Sequence, residues 1–114
     1  MPKVRIFQVA YDPSLLRVRA EMLKLAGYSV ISVLGNEEAR DALEEDANYH
    51  LVVVGWSASD AVRTEIVQWL KKRWPALRVI ALYRAGSHAI AEADLNSCSE
   101  SPAEWFNAVT RAAS

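Results

Sequence analysis

Five short apolar runs alternate along the chain with longer stretches in which apolar residues recur at helical spacing. The runs are rich in β-branched and aromatic residues, which is typical of strands. They occupy residues 4–10, 28–33, 50–55, 77–82 and, more weakly, 93–97. The third run, HLVVVG, has four consecutive apolar residues, as expected of a parallel strand that is buried on both faces.

The stretches between the runs carry the start and stop signals of helices. Asp12 followed by Pro13 is a typical N-cap and first-turn pair, and Gly27 is a natural C-terminal stop for the first helix. Asn36 is predicted to cap a second helix over residues 37–46, because asparagine is a preferred N-cap residue.

A third helix is predicted to begin near Asp60, with Ser57 at the spacing of a capping box, and to end at Pro75. A last helix is predicted over residues 102–113. The third helix should turn one apolar stripe to the core, formed by Val62, Ile66, Trp69, Leu70 and Trp74.

The alternation of strands and helices predicts a single α/β domain over residues 1–114. Right-handed crossovers would give a doubly wound, five-stranded parallel sheet in the flavodoxin-like order 2-1-3-4-5. The crossover between the fourth and fifth strands has little room, because a parallel crossover usually takes about a dozen residues or more. The fourth helix, which would lie in that crossover, is therefore predicted to be shortened or missing.

Composition and charge exclude several classes of function. The 114 residues include 13 Lys and Arg against 14 Asp and Glu, with a net charge of -1. This balance argues against a generic nucleic-acid binder, which usually has a strong basic excess. Cys98 is the only cysteine, so no disulfide can form within the chain. No apolar run is long enough to span a membrane, and we expect a cytoplasmic protein with no nucleic-acid or membrane partner.

The order of segments VAYDPSLLRVRAEMLKLAGYSVISVLGNEEARDAL, HLVVVG, RVIALY and SPAEWFNAV resembles the receiver domain of bacterial response regulators over nearly the whole chain. The resemblance implies a CheY-like fold. It also implies the family's chemistry, in which an aspartate after strand three takes a phosphoryl group from a histidine kinase. Two acids after strand one hold Mg²⁺, a Thr or Ser follows strand four, and a Lys follows strand five.

The chain departs from this pattern at the metal and acceptor positions. The acidic pair aligns with Ala10 and Tyr11, and the phospho-acceptor aligns with Gly55. Neither alanine nor glycine offers the oxygen ligands that Mg²⁺ requires, and glycine has no nucleophile.

The other two positions of the phosphorylation pocket are also changed. Tyr83 stands at the Thr or Ser position, and Cys98 stands at the Lys position, with Ser97 as the neighbouring alternative. The resemblance therefore indicates a degenerate pseudo-receiver that takes no phosphate, holds no metal or cofactor and is not an enzyme. We further expect Tyr83 to pack over Gly55 near Tyr11 or Trp56, and a side chain at position 55 to collide with the Tyr83 ring.

Three aromatic residues at this edge are candidates for contacts with a partner or ligand: Trp56, Tyr83 and Tyr11. Trp56 follows strand three on a loop, where an exposed aromatic favours binding. Alternatively, Trp56 only covers the vacated pocket and contacts no partner. Asp12 is expected to cap a helix rather than to bind metal, and Asp60 to cap a helix rather than to act as a relocated phospho-acceptor.

The remaining reactive side chains are weaker candidates for metal binding or catalysis. His50 and His88 have no partner at ligand spacing, so both are expected at the surface. Cys98 lies shortly before the last helix, which leaves redox chemistry open beside an ordinary half-buried cysteine.

The sequence therefore favours a phosphorylation-independent signalling domain that binds another signalling protein. A homodimer through an altered face is a further arrangement to consider, because the short crossover remodels the usual receiver surface. The alternative function is a small-molecule or redox-sensing module that uses the aromatic-lined former pocket.

Overall fold

The computed structural model describes residues 3–113. They form a five-stranded sheet in the order β2-β1-β3-β4-β5, and every neighbouring pair of strands is parallel. The strands are β1 Arg5–Ala10, β2 Ser29–Leu34, β3 Leu51–Val54, β4 Arg78–Tyr83 and β5 Leu95–Cys98. The helices are α1 Pro13–Leu25, α2 Gly35–Glu45, α3 Asp60–Arg73 and α4 Pro102–Ala113. The predicted fold class and strand order are confirmed.

Helices cover both faces of the sheet, because alternate residues along each strand point to opposite sides. One core lies under α1 and α4, and a second lies under α2 and α3. Side chains of the first core include Ile6, Leu23, Val53, Leu82 and Trp105. Side chains of the second include Phe7, Leu43, Val54, Ile66 and Ala81.

The helix starts were predicted with mixed success. Asp12 caps α1 as expected, since its carboxylate accepts hydrogen bonds from the backbone N–H groups of Ser14 and Leu15. The third helix begins at Asp60 as predicted, but its N-cap is Ser59 and not Ser57 or Asp60. Asn36 was also predicted wrongly, because it lies inside the first turn of α2 and does not cap it.

The segment between β4 and β5 contains no helix, in agreement with the short crossover. Residues 84–94 form turns instead, and Ile90 packs into the core under α2 and α3 with 2% of its surface exposed. Asn96 of β5 holds Ile90 by two hydrogen bonds, to its backbone N–H at 2.8 Å and to its carbonyl at 2.9 Å. A single buried isoleucine on a hydrogen-bonded loop thus covers sheet area that a crossover helix would otherwise cover.

Among residues 3–113, no helix has the length and apolar character needed to cross a membrane.

Candidate functional site

The carboxyl ends of the strands bring the predicted pocket positions to one edge of the sheet. The backbone N–H of Gly55 donates to the carbonyl of Val9 at 2.8 Å, which places Gly55 beside Ala10. Tyr83 is paired with Cys98 across β4 and β5. Ligand sites of open α/β sheets lie at this edge, so the sequence-predicted positions converge where the fold would use them.

The strand register places these positions at two levels along the strands. Since Val54 pairs with Ala81, Gly55 lies level with Leu82, and Leu82 in turn pairs with Ser97. Tyr83 and Cys98 lie one residue further along. A shift of one residue turns a side chain to the other face of the sheet, so Tyr83 is directed away from the face on which a side chain at position 55 would stand.

Arg19 of α1, and not Tyr83, is the side chain nearest to the vacant position at Gly55. A Cβ atom placed on Gly55 would lie 2.9 Å from the Nη1 atom of Arg19. The collision that we expected with an aromatic ring therefore occurs with a guanidinium group. Position 55 faces α1 because Val53, two residues earlier, packs in the core under α1 and α4.

The guanidinium of Arg19 is buried without a hydrogen-bond partner for its Nη2 atom. Only 5% of the residue is exposed. Burial lowers the pKa of Arg19 to about 10, against the opposing effect of the negative charge on Asp12. Sequence reasoning missed this residue, although one signal was present: Arg19 interrupts the apolar stripe of α1, four residues before the buried Leu23.

A second buried arginine, Arg63 of α3, ties the ends of β3 and β4 together. Its Nε donates to the carbonyl of Gly55 at 2.9 Å, and its Nη2 donates to the carbonyl of Leu82. Its Nη1 donates to the carbonyl of His88 at 3.0 Å and lies 3.4 Å from Oδ1 of Asp60. Burial lowers the pKa of Arg63, while the charge of Asp60 opposes that effect.

Arg63 also corrects the predicted inner face of α3. Val62, which we expected in the core, is 40% exposed, whereas the Arg63 side chain is completely buried. The rest of the predicted stripe is confirmed, since Ile66 and Leu70 are buried and Trp69 and Trp74 pack against the same core. Arg63 can be buried in place of Val62 because three backbone carbonyls satisfy the donors of its guanidinium.

The arrangement does not fit Mg²⁺. The positions of the acidic pair hold Ala10 and Tyr11, and a guanidinium stands beside Gly55. Within residues 3–113, no group of three or more His, Cys, Asp or Glu side chains is placed to hold a metal ion. A fixed positive charge in the pocket repels a cation, so no chemistry through Mg²⁺ is derived for this chain.

Comparison with solved structures places this geometry among known folds. A response regulator receiver domain protein from Clostridium thermocellum has a TM-score of 0.85 and 20% identity, with 96% of this chain and 93% of that chain covered. The response regulator TrrA from Thermotoga maritima, in complex with Mg²⁺ and BeF, has a TM-score of 0.80 and 21% identity, with 95% and 96% covered.

The chain has the receiver-domain fold. A structure of histidine kinase ThkA in complex with response regulator TrrA matches as well, with a TM-score of 0.82, 24% identity and 97% and 99% covered. A pilus assembly-related protein from Burkholderia pseudomallei has a TM-score of 0.78 and 20% identity, with 96% and 89% covered. No family model and no curated protein matches the chain.

Within this receiver fold, Tyr11 has a structural partner. Its hydroxyl donates to Oδ1 of Asn36 at 2.6 Å, and the amide nitrogen of Asn36 donates to the carbonyl of Val62 at 2.8 Å. Burial raises the pKa of Tyr11 to about 12. Tyr11 thus links the end of β1 to α2 and α3, and its hydroxyl is not turned outward for a ligand.

Cys98 lies beside an acid. The residue is half-buried, and its Sγ atom is 3.8 Å from a carboxylate oxygen of Glu100. Reactive cysteines lie near positive charge, so this environment does not favour redox chemistry. Tyr83 is half-buried at the same edge.

Trp56 lies on the loop after β3, as predicted, and is half-buried. The guanidinium carbon of Arg84 stands 4.3 Å from the centre of its ring, which is a cation–π contact. Trp56 therefore forms a pair with an arginine from the loop after β4.

Proposed function

We propose that this chain is a receiver-fold signalling domain that works without phosphorylation and acts by binding another protein. One observation carries the proposal: the guanidinium of Arg19 lies beside Gly55, where a receiver has its acceptor carboxylate. An arginine at this place supplies a permanent positive charge, and nothing at Gly55 can form an acyl phosphate. The domain then has one charge state, which does not depend on a kinase.

A protein partner is supported by the half-buried Trp56 and the exposed Arg84 at this edge of the sheet. Trp56 and Arg84 belong to the residue types that dominate interface energies. The matching structure of TrrA with ThkA concerns that protein, but it illustrates a receiver fold in complex with another signalling protein. A homodimer through an altered face stays a prediction, as does a cytoplasmic location.

The small-molecule or redox alternative has less support. Tyr11 is bonded to Asn36 and Cys98 is adjacent to Glu100, so two of its supposed ligand contacts are engaged. We also propose that the domain performs no catalysis, because the nucleophile and metal ligands of the family's reaction have no counterpart here.

Phosphorylation is the decisive test. The purified domain is incubated with acetyl phosphate and Mg²⁺, and separately with beryllofluoride and Mg²⁺, beside a receiver that retains its acceptor aspartate. We expect an unchanged intact mass and an unchanged ¹H–¹⁵N spectrum for this chain, and changes in both for the control. Stoichiometric phosphorylation at any residue would refute the proposal.

A further inference from the structure

An open pocket lies between the loop after β3 and the loop after β4. Its volume is about 420 Å³, and it is lined by Trp56, Ser57, Ala58 and residues 84–87. We propose that this pocket receives a carboxylate side chain from an acidic segment of a protein partner, and that Arg84 binds it. The inference rests on the proposed function, since it names the chemistry of the partner that the domain binds.

Arg84 is preorganised to bind a carboxylate. It is exposed, its guanidinium lies over the Trp56 ring, and no Asp or Glu in residues 3–113 forms an ion pair with it. The contact with the ring holds the guanidinium in place and uses none of its N–H donors. A carboxylate can accept two parallel hydrogen bonds from such an edge.

The loop that carries Arg84 is held in a defined turn. The backbone N–H of Ser87 donates to the carbonyl of Arg84 at 2.9 Å, and the Ser87 hydroxyl accepts from the backbone N–H of Arg84 at 3.0 Å. Gly86 has a φ of 89°, which a turn of this kind requires and which glycine adopts without strain. The position of Arg84 is therefore set before a partner arrives.

Arg63 fixes both walls of the pocket from beneath. Its three carbonyl acceptors are Gly55, just before Trp56, and Leu82 and His88, on either side of the turn. Binding to prepared loops loses less conformational entropy than binding to mobile ones. The buried arginine thus explains how a chain without a crossover helix can still present a defined surface here.

The charge and shape of the pocket select the occupant. No acidic side chain lines it, and Asp60 turns its carboxylate to Arg63 and to the Nδ1 atom of His88. Small ligands usually bind in clefts that bury about 70–90% of their surface. A pocket open between two loops suits one anionic side chain within a larger protein interface.

The test uses two synthetic peptides and the whole domain. One peptide is glycine- and serine-rich with a central Glu-Asp-Glu, and the other has Gln-Asn-Gln in its place. Binding is followed by the indole N–H signal of Trp56 and the Nε–H signal of Arg84. Arg84→Gln is compared with Arg78→Gln, which removes the same charge at the opposite end of β4.

We expect the acidic peptide to shift both signals and the amide peptide to shift neither. Arg84→Gln should weaken binding about tenfold or more, as loss of an interface arginine often does, and Arg78→Gln should not. Absence of binding, or equal losses in the two variants, would overturn the inference. If inorganic phosphate shifts both signals as strongly as the acidic peptide does, and the shift depends on Arg84, the pocket is a site for small anions and the peptide inference is wrong.

The proposed function can fail separately from this inference. Phosphorylation by acetyl phosphate would refute the former even if the peptide binds. If the domain takes no phosphate and does not bind the peptide, the proposed function is kept and the carboxylate site at Arg84 is refuted.

Discussion

The guanidinium of Arg19 takes up the space that a side chain at Gly55 would need: its Nη1 atom lies 2.9 Å from the point where a Cβ on Gly55 would be. The two residues are complementary in volume, because the long side chain from α1 fills the space that the glycine leaves. The charge at this place is therefore positive, because the guanidinium of Arg19 lies beside a residue that has no side chain.

Gly55→Asp should be tolerated better than Gly55→Asn, although the two side chains have the same shape. The far end of Arg19 can shift to make room, and an aspartate there would pair with its free guanidinium donors. We expect the aspartate variant to be more stable by about 1 kcal/mol or more, as charged hydrogen bonds are the stronger kind. Urea denaturation measures the difference.

The same pair of substitutions in an Arg19→Met background is the control. The order should reverse there, because an unpaired buried carboxylate costs more than a neutral amide. A double-mutant cycle without coupling between positions 19 and 55 would show that the two side chains do not interact.

Arg19→Met alone should raise the free energy of unfolding. The buried guanidinium has a donor without a partner, which costs about 1–3 kcal/mol or more for a charged group, and an apolar side chain of similar length removes that cost. Arg17→Met on the exposed side of α1 is the matched control and should change stability by less than about 0.5 kcal/mol. A loss of stability in the Arg19 variant would mean that the guanidinium is stabilised in a way that its contacts do not reveal.

Arg63→Met should destabilise the domain by about 3–5 kcal/mol, since it leaves buried carbonyls of Gly55 and Leu82 without their donors. Arg63→Lys should also cost stability, because one ammonium group cannot reproduce the fork that reaches three carbonyls. Arg40→Met, which breaks an exposed pair with Glu65, should cost less than about 1 kcal/mol. Similar midpoints in thermal unfolding for the Arg63 and Arg40 variants would show that Arg63 does not hold the ends of β3 and β4 together.

Asp60 should contribute to loss of stability in acid. The hydrogen bond with His88 is the main cause that lowers the pKa of Asp60 below its usual 3.8. A carboxyl group with a lowered folded pKa stabilises the fold above its unfolded pKa and loses that effect as the pH falls through the folded pKa. Asp60→Asn should therefore lose less stability than the wild type as the pH falls below about 4.

The measurement for Asp60 is a series of urea titrations from neutral pH downward. Asp41→Asn serves as the control, because Asp41 is exposed and forms no ion pair among residues 3–113. If the Asp60 and Asp41 variants have the same pH profile, the contact of Asp60 with His88 does not stabilise the fold.

Local patterns in the sequence were sufficient for the architecture. Hydrophobic periodicity separates strands from helices, and the alternation leaves few parallel topologies. Asp12 and Pro13 mark the start of α1 because an N-cap acts only on its own helix. The short segment after Tyr83 predicts the missing crossover helix from length alone, and the identities of Ala10 and Gly55 predict positions that supply neither a metal ligand nor a nucleophile.

Only the tertiary structure decided what fills those positions. A sequence pattern assigns a charged residue to solvent, yet Arg19 and Arg63 are buried because distant strands offer a vacant side-chain position and free carbonyls. Tyr83 was placed over Gly55 in our prediction, but the register between β3 and β4 offsets the two by one residue and turns them to opposite faces. Register is a property of strand pairing and cannot be calculated from either strand alone.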